Sequence, residues 1–346
     1  PTAVLTPQES DELMHTVRQI AAEGRTVIFI SHKLEEVRSV ADRVTVLRAG
    51  KVVAGGLDMA DMTTRDLARL MIGSEVFAEV KPSRHDSREE VLRLDGVCVA
   101  DDRGLPALRS IDLRLTAGEI LGIAGVAGNG QRELAQVVAG LRLPTSGRVL
   151  VDDKDVTGAG ARSMSRAGVA HIPEDRLAEG LIGNLPLQDN ALLKSYYKRP
   201  IANGPFLRLK AAAEFTRGLI QRFDIAGASP HSKTRLLSGG QLQRFLLARE
   251  MAGNPRVVVA VHPTRGLDVA ATATVQEWLV SSRDHGCAIL LISEDLDEVL
   301  QLSDRIAVMY DGQIVAVLRS GETDREHIGL MMVGSRPEAE PVGAPT

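Results

Sequence analysis

Three clusters of residues in this sequence have types and spacings that could do chemistry. The first is Gly125-Val126-Ala127-Gly128-Asn129-Gly130, which follows a strand read from Glu119 to Ala124 and precedes a helical pattern from Gln131 to Gly140. A strand feeding a glycine-rich turn and a helix N-terminus aims backbone N–H groups at one point, which suits phosphate. A full phosphate loop would continue with a lysine for the outer phosphates and a hydroxyl for Mg²⁺. Those two positions are Gln131 and Arg132. Glutamine carries no charge and arginine cannot coordinate a metal, so the loop is equipped to bind a nucleotide and poorly equipped to hydrolyse it. A tight strand–helix turn that binds nothing is the other reading of the loop taken alone. The second cluster is Leu237-Ser238-Gly239-Gly240-Gln241, which opens a helix continuing LQRFLLAREMAG. Ser-Gly-Gly at a helix start offers free N–H groups and a hydroxyl to an anion. The third is the apolar strand RVVVAV followed by HPTRGLD, with His262 at its end.

The elements that must position these clusters follow from the apolar periodicity. Short β-branched runs at 148–151, 256–260 and 288–293 alternate with helical patterns at 211–223 and 241–251, which predicts a mostly parallel sheet covered by helices. The opening segments LRLDGVCV and ALRSIDLRLTAGEILGIAG are strand-rich with polar turns and read as an antiparallel β-subdomain. The chain also repeats itself. Residues 1–54 lie over 263–316 at a constant offset of 262 without a gap, and after a one-residue slip LMIGS at 70–74 lies over MMVGS at 331–335. Only the second copy has a complete N-terminal half, 91–262, in front of it. The first copy starts at Pro1 inside what the second copy reads as a strand-to-helix connection, so the expectation is an N-terminally truncated piece of a longer tandem protein. The expected division is 1–79, the C-terminal part of a first domain; 80–90, a polar linker; 91–335, a complete second domain; and 336–346, a tail.

Composition narrows the classes. With 346 residues, 44% hydrophobic and 25% charged, the chain can fill about two ordinary cores and is not a disordered chain. Its 41 basic and 45 acidic residues give a net charge of -4, so no basic nucleic-acid footprint is expected. The longest apolar stretches, such as Val257–Val261, fall far short of the roughly 18–20 residues of a membrane span, so a membrane role would be peripheral. Two cysteines, Cys98 and Cys287, make no disulfide framework and fit a reducing cytosolic setting.

The order of glycine loop, LSGGQ, apolar strand, PTRGLD, strand AILLIS and then DRIAVMYDGQIV resembles the nucleotide-binding subunit of ATP-binding cassette (ABC) transporters, over nearly the whole chain. The resemblance implies a P-loop NTPase α/β cassette: a mostly parallel sheet core, an antiparallel β-subdomain and a helical subdomain, preceded here by the C-terminal half of a first cassette. It implies ATP and Mg²⁺ as cofactors, membrane permease subunits as partners, an extracytoplasmic solute-binding lipoprotein as an indirect partner, and a peripheral place on the cytoplasmic face of the cell membrane. Carried over residue by residue, the metal-binding Asp and catalytic Glu of the Walker B strand fall on Val261 and His262, and the switch-loop histidine falls on Glu294. The Gln-loop equivalent is Glu174-Asp175, and the D-loop is Leu267-Asp268. No Phe, Tyr or Trp lies between Phe77 and Tyr196, so the usual adenine-stacking ring is also absent. The resemblance thus makes Gly125, Gly128, Asn129, Gly130, Gln131 and Arg132 the wall of a degenerate nucleotide site, with no metal ligand among them. His262 as a substitute general base is the alternative.

In the first copy the switch position is His32, which matches the family, and the D-loop holds Leu5 and Thr6. ABC sites are composite, so His32 as the catalytic residue belongs with Ser238, Gly239, Gly240 and Gln241 of the second copy, while the degenerate residues face a signature outside this chain. The resemblance therefore implies one hydrolytic and one silent site. HIPEDRLAEGL at 171–181, the loop GVAGNGQ, NALLKSYYKRP at 190–200 and VHPTRGLDVAA resemble the second cassette of tandem importers of simple sugars and nucleosides, closest to the purine nucleoside branch. The alternatives are a ribose or galactose importer subunit, a soluble ABC ATPase acting on ribosomes or DNA, and a half that only docks to the permease.

Overall fold

The computed structural model describes residues 7–31, 34–48, 50–72 and 89–334, which form two compact units: 1–79 with 266–275, and 80–265 with 276–346. His32, Leu5 and Thr6, the polar stretch 80–88 and the tail 336–346 lie outside the described residues.

The first unit holds helix α1 (Pro7–Ala22), helix α2 (Leu34–Val40), the antiparallel hairpin β1 (Arg43–Arg48) and β2 (Lys51–Asp58), and helix α3 (Thr64–Ile72). Among the described residues of 7–72, Met14 on α1, Val37 on α2, Val46 on β1 and Leu67 on α3 are the buried apolar ones.

In the second unit, strands β3 (Glu90–Ala100), β4 (Pro106–Thr116), β6 (Ser146–Val151) and β7 (Lys154–Asp155) make a four-stranded antiparallel sheet in the order β4-β3-β6-β7. This is the antiparallel subdomain read from the sequence, with two differences: 148–151, expected in the parallel sheet, pairs antiparallel with β3 as part of β6, and residues 120–124, expected in the antiparallel subdomain, belong to the parallel sheet, because a local apolar run does not encode which strand it pairs with. A six-stranded sheet runs β14-β13-β5-β12-β11-β8, with β5 (Ile120–Ala124), β8 (Val169–Ile172), β11 (Val257–Val261), β12 (Ala288–Ile292), β13 (Arg305–Tyr310) and β14 (Gln313–Arg319). All its pairings are parallel except β13 with β14. Strands β5, β11 and β12 are buried at every position, as continuous apolar runs inside a sheet covered on both faces must be. Helices α4 (Gln131–Val138), α5 (Ala161–Arg166), α10 (Leu296–Leu302) and α11 (Arg325–Met332) belong to this unit, and α9 (Val269–Asp284) is divided, with residues from 276 on falling in it. Helices α6 (Leu187–Leu192), α7 (Leu209–Arg222) and α8 (Gly239–Met251), with the small hairpin β9 (Ala202–Asn203) and β10 (Phe206–Leu207), form the helical part.

The offset of 262 recurs in the elements: α1, α2 and β1 start and end where α9, α10 and β13 do. The exception is instructive. Residues 26–30 correspond to β12, yet they form no strand, and Ile28 and Ile30 are 89% and 84% exposed. Strand β12 is held between β5 and β11 on its two sides, and among the described residues the first unit has no counterpart of either. An apolar run becomes a parallel strand only where neighbours take up its ladder groups and cover its faces.

Candidate nucleotide-binding cleft

The register of the large sheet brings the predicted residues to one place. Ile123, Ile292 and Val261 are aligned partners on β5, β12 and β11, and Ala260 is paired with Ile172 on β8, so all four strands end together. Beyond these carboxyl ends lies a cleft of about 180 Å³, where open parallel sheets take their ligands. It is lined from β5 and α4 by Gly125, Gly128, Gln131 and Arg132, from β8 by His171, Pro173 and Glu174, from β11 by Val261 and His262, and from β12 by Ser293 and Glu294. Gly125, Gly128, Gln131, Arg132, Glu174, Val261, His262 and Glu294 thus border one cleft, whereas Asn129, Gly130 and Asp175 are not among its lining residues.

The loop geometry explains its glycines. Gly130 has φ 101°, and a Cβ there would stand 2.5 Å from the Ala107 carbonyl oxygen, so both conformation and close approach exclude a side chain. Asn129 anchors the loop: its Oδ1 accepts the Asp311 N–H at 3.0 Å, and its carbonyl accepts the Gly312 N–H at 3.2 Å. Gln131 folds back over the loop, where its Nε2 donates to the Val126 carbonyl at 3.0 Å. Its carboxamide therefore lies against Gly125 and brings no charge. The Arg132 guanidinium borders the cleft and makes no ion pair among the described residues beyond a longer-range pull on Asp102.

On the opposite wall, the His262 backbone takes the left-handed conformation, φ 44°, and its Nδ1 accepts the Glu294 N–H at 3.3 Å. His262 is therefore tied to the neighbouring switch position through one ring nitrogen. Behind this pair the buried Glu298 accepts the Thr264 hydroxyl at 2.7 Å, and burial pushes its carboxyl up against the pull of hydrogen bonds from Ser293 and Thr264. Glu298 holds the turns after β11 and β12 together. Its signal in the sequence was the repeat: Glu36 stands at the same offset, and Ser31 Oγ donates to it at 3.0 Å.

The Glu174-Asp175 element is fixed at both ends. Asp175 caps the turn at 176–180 by accepting the N–H groups of Leu177 and Ala178, and Glu174 pairs with Arg265. Arg176, which the sequence reading passed over, donates from Nε to Gln243 Oε1 at 2.6 Å and from its terminal nitrogen to the Arg265 carbonyl. It joins the Gln-loop equivalent to α8 and to the segment after β11.

Ser238 and Gly239 to Gln241 sit at the start of α8 and do not line the cleft. Ser238 Oγ accepts the Gln241 N–H at 3.3 Å, and Gln241 Oε1 accepts the Ser238 N–H at 3.0 Å, a capping box. The Ser238 oxygen therefore serves the helix itself, and its hydroxyl hydrogen is what remains to be donated outward. The N–H groups of Gly239 and Gly240 have no acceptor among the described residues. Leu267 and Asp268 fall in the other compact unit, where Asp268 Oδ1 accepts the Ala271 N–H at 2.8 Å at the start of α9. Tyr196 and Tyr197 are 40% and 38% exposed, edge to face at 5.3 Å, under the guanidinium groups of Arg162 and Arg166.

The donor set of the cleft does not suit Mg²⁺. The positions that would supply a carboxylate and a hydroxyl hold Val261 and Arg132, Glu174 is paired with Arg265, and among the described residues no group of three or more His, Cys, Asp or Glu could hold a metal.

His171 borders the cleft from β8, and burial pushes its imidazole from 6.5 down to about 4, with Lys194 and Arg249 adding to the effect of burial and Glu250 opposing it. A histidine whose folded pKa is depressed resists protonation, so its contribution to stability is present above the unfolded pKa and is lost as pH falls towards 4. The expected loss is about 3 kcal/mol across that window. Urea unfolding at pH 7 and pH 4.5 checks it: the fall in stability should shrink in His171→Gln, and an undiminished fall removes His171 from the account.

The family model for "ABC transporter" matches residues 108–265. The chain is similar to the glucose import ATP-binding protein of Haloferax volcanii, at 43% identity over 99% of this chain and 63% of that protein. It is 42% identical to the guanosine import ATP-binding protein of Bacillus subtilis over 97% of this chain and 66% of the relative, and 39% identical to the nucleoside import ATP-binding protein of Lactococcus lactis over 96% and 66%. It therefore spans between 63% and 66% of the length of these relatives. A solved nucleotide-free ATP-binding cassette of an ABC transporter superposes with TM-score 0.60 at 21% identity, covering 71% of this chain and 99% of that one. A post-hydrolysis cassette dimer bound to ADP and phosphate gives 0.58 at 21% identity over 66% and 98%. At that identity the likeness speaks for the fold.

Proposed function

We propose that the chain belongs to the ATP-binding cassettes of ABC transporters and works as the ATP-binding subunit of an importer, coupling ATP binding and hydrolysis to nucleoside uptake through membrane permeases. The observation that carries the reading is the contrast between two sites. Gln131, Arg132, Val261, His262 and Glu294, none of them the residue type that the family uses at its position, share one cleft, whereas the LSGGQ start of α8 keeps a formed cap and N–H groups without acceptors. On this reading Ser238, Gly239, Gly240 and Gln241 close over the γ-phosphate of an ATP bound elsewhere, in a site where His32 is the catalytic residue and Mg²⁺ is bound, with Leu5, Thr6, Leu267 and Asp268 as D-loop residues. The chain's own cleft holds a nucleotide without turning it over. The subunit sits peripherally on the cytoplasmic face of the membrane, and a solute-binding lipoprotein delivers the solute from outside; among the described residues no helix is long and apolar enough to cross a membrane. Nucleic acid is not a partner on this reading.

A second reading, import of a simple sugar, is favoured by the 43% identity to the glucose import protein. Uptake of labelled guanosine and labelled glucose, in cells lacking the gene and in cells complemented with it, separates the two. Loss of guanosine uptake alone supports the first, loss of glucose uptake alone the second, and loss of neither overturns both. The purified chain should turn over no ATP above background; turnover abolished by His262→Ala would restore His262 as a working base.

A further inference from the structure

Resting on the reading of the cleft as a nucleotide site, we propose that this cleft binds its nucleotide without a divalent cation, with the Arg132 guanidinium as its counter-charge. A consensus phosphate loop neutralises a triphosphate with a lysine, a metal ion and loop N–H groups. Here the lysine position is Gln131, whose carboxamide is spent on the Val126 carbonyl. The hydroxyl that would bind the metal is replaced by Arg132, and the carboxylate by Val261. A guanidinium cannot share a ligand sphere with Mg²⁺, and its fixed charge at the mouth of α4 repels one. What the cleft retains for phosphate is the turn of Gly128 and Gly130, the N-terminus of α4, and Arg132, whose guanidinium has no ion pair of its own among the described residues. Planar and always charged, it is matched to phosphate oxygens in two-point contact. Glu294 borders the same cleft, and on this proposal no metal offsets its carboxylate. It therefore limits the affinity for an anion by like-charge repulsion.

The experiment is titration calorimetry of ATP into the purified chain, once in EDTA and once in excess Mg²⁺. The affinity in EDTA should be equal to or tighter than that in Mg²⁺, because the metal competes for the free nucleotide. Arg132→Ala should weaken binding in EDTA by about tenfold or more, the worth of a hydrogen-bonded charge, while Glu294→Gln should tighten it. Arg132→Ser with Val261→Asp should make binding depend on Mg²⁺. Weaker binding in EDTA than in Mg²⁺ overturns the proposal, and so does an Arg132→Ala variant that binds as the parent does. No binding under either condition overturns the reading of the cleft as a nucleotide site, a failure distinct from the other two. Circular dichroism of each variant verifies folding.

Discussion

Gly239→Asp is expected to abolish ATP-driven uptake while leaving the fold intact. Gly239 is the first residue of α8, inside the capping box that Ser238 and Gln241 close, and its φ is not in the left-handed region. A Cβ at this position meets nothing nearer than Arg176 at 3.9 Å. An aspartate in the first helical turn is favoured by the helix dipole, and here it would also lie beside a guanidinium, so stability should hold or rise slightly. The cost falls on binding. If the Gly239 and Gly240 N–H groups close on the γ-phosphate of an ATP held by another cassette half, a carboxylate at 239 puts a negative charge in the phosphate's path. Losing aligned donors of that kind costs on the order of a hundredfold to a thousandfold in rate, and adding repulsion raises it. Gln131→Ala removes only a self-directed carboxamide, in the cleft proposed not to turn nucleotide over, and should cost little. Solute uptake by the intact importer measures both, with circular dichroism as the folding control. Undiminished uptake by Gly239→Asp, or an equal loss from Gln131→Ala, would mean that the working site has been assigned to the wrong interface.

What could be read in advance divides by sequence distance. The phosphate loop is a contiguous strand, turn and helix, and each part announces itself through apolar runs, glycines and a change of period; β5, the loop and α4 accordingly follow the expected order. The convergence of Val261, His262 and Glu294 with that loop was legible through the family resemblance, and the structure shows its physical basis: parallel strands with aligned carboxyl ends bring the turns that follow them to one crevice. Arg176 was not legible. Its partners Gln243 and Arg265 lie 67 and 89 residues away, and no periodicity encodes such a pairing. The position of Gln131 was likewise hidden, because a missing lysine predicts a missing charge and says nothing about where the replacement carboxamide goes. Residues 26–30 show the converse limit. Their sequence matches β12, but strand formation belongs to the neighbours that supply the ladder, and a local pattern cannot tell whether those neighbours are present.

Glu250→Ala should destabilise the second unit more than any single change at the cleft surface. Glu250 lies on α8 with its side chain fully buried, and it accepts hydrogen bonds from Lys194 Nζ at 2.5 Å, from Arg249 at 2.9 and 3.0 Å, and from the His171 backbone N–H at 3.2 Å. Burial alone would push its carboxyl up, but Lys194 and Arg249 outweigh that and hold it below the usual carboxylate range. One carboxylate thus compensates two cations, one of them the buried Arg249, and ties the helical part to β8, the edge strand of the large sheet. Removing it leaves a buried guanidinium unpaired, a change of about 3–5 kcal/mol. For a unit of this size the melting temperature should fall by on the order of 10 °C. Because the lost bond to the His171 N–H holds the strand that leads to Pro173 and Glu174, amide exchange should accelerate first along β8, loosening that wall of the cleft before the sheet as a whole. Glu250→Gln keeps the shape and loses the charge, so it should fall between the two. A melting temperature for Glu250→Ala within a degree or two of the parent would show that water reaches Arg249 readily enough to solvate it, and that the ion cluster does not hold the edge strand in place.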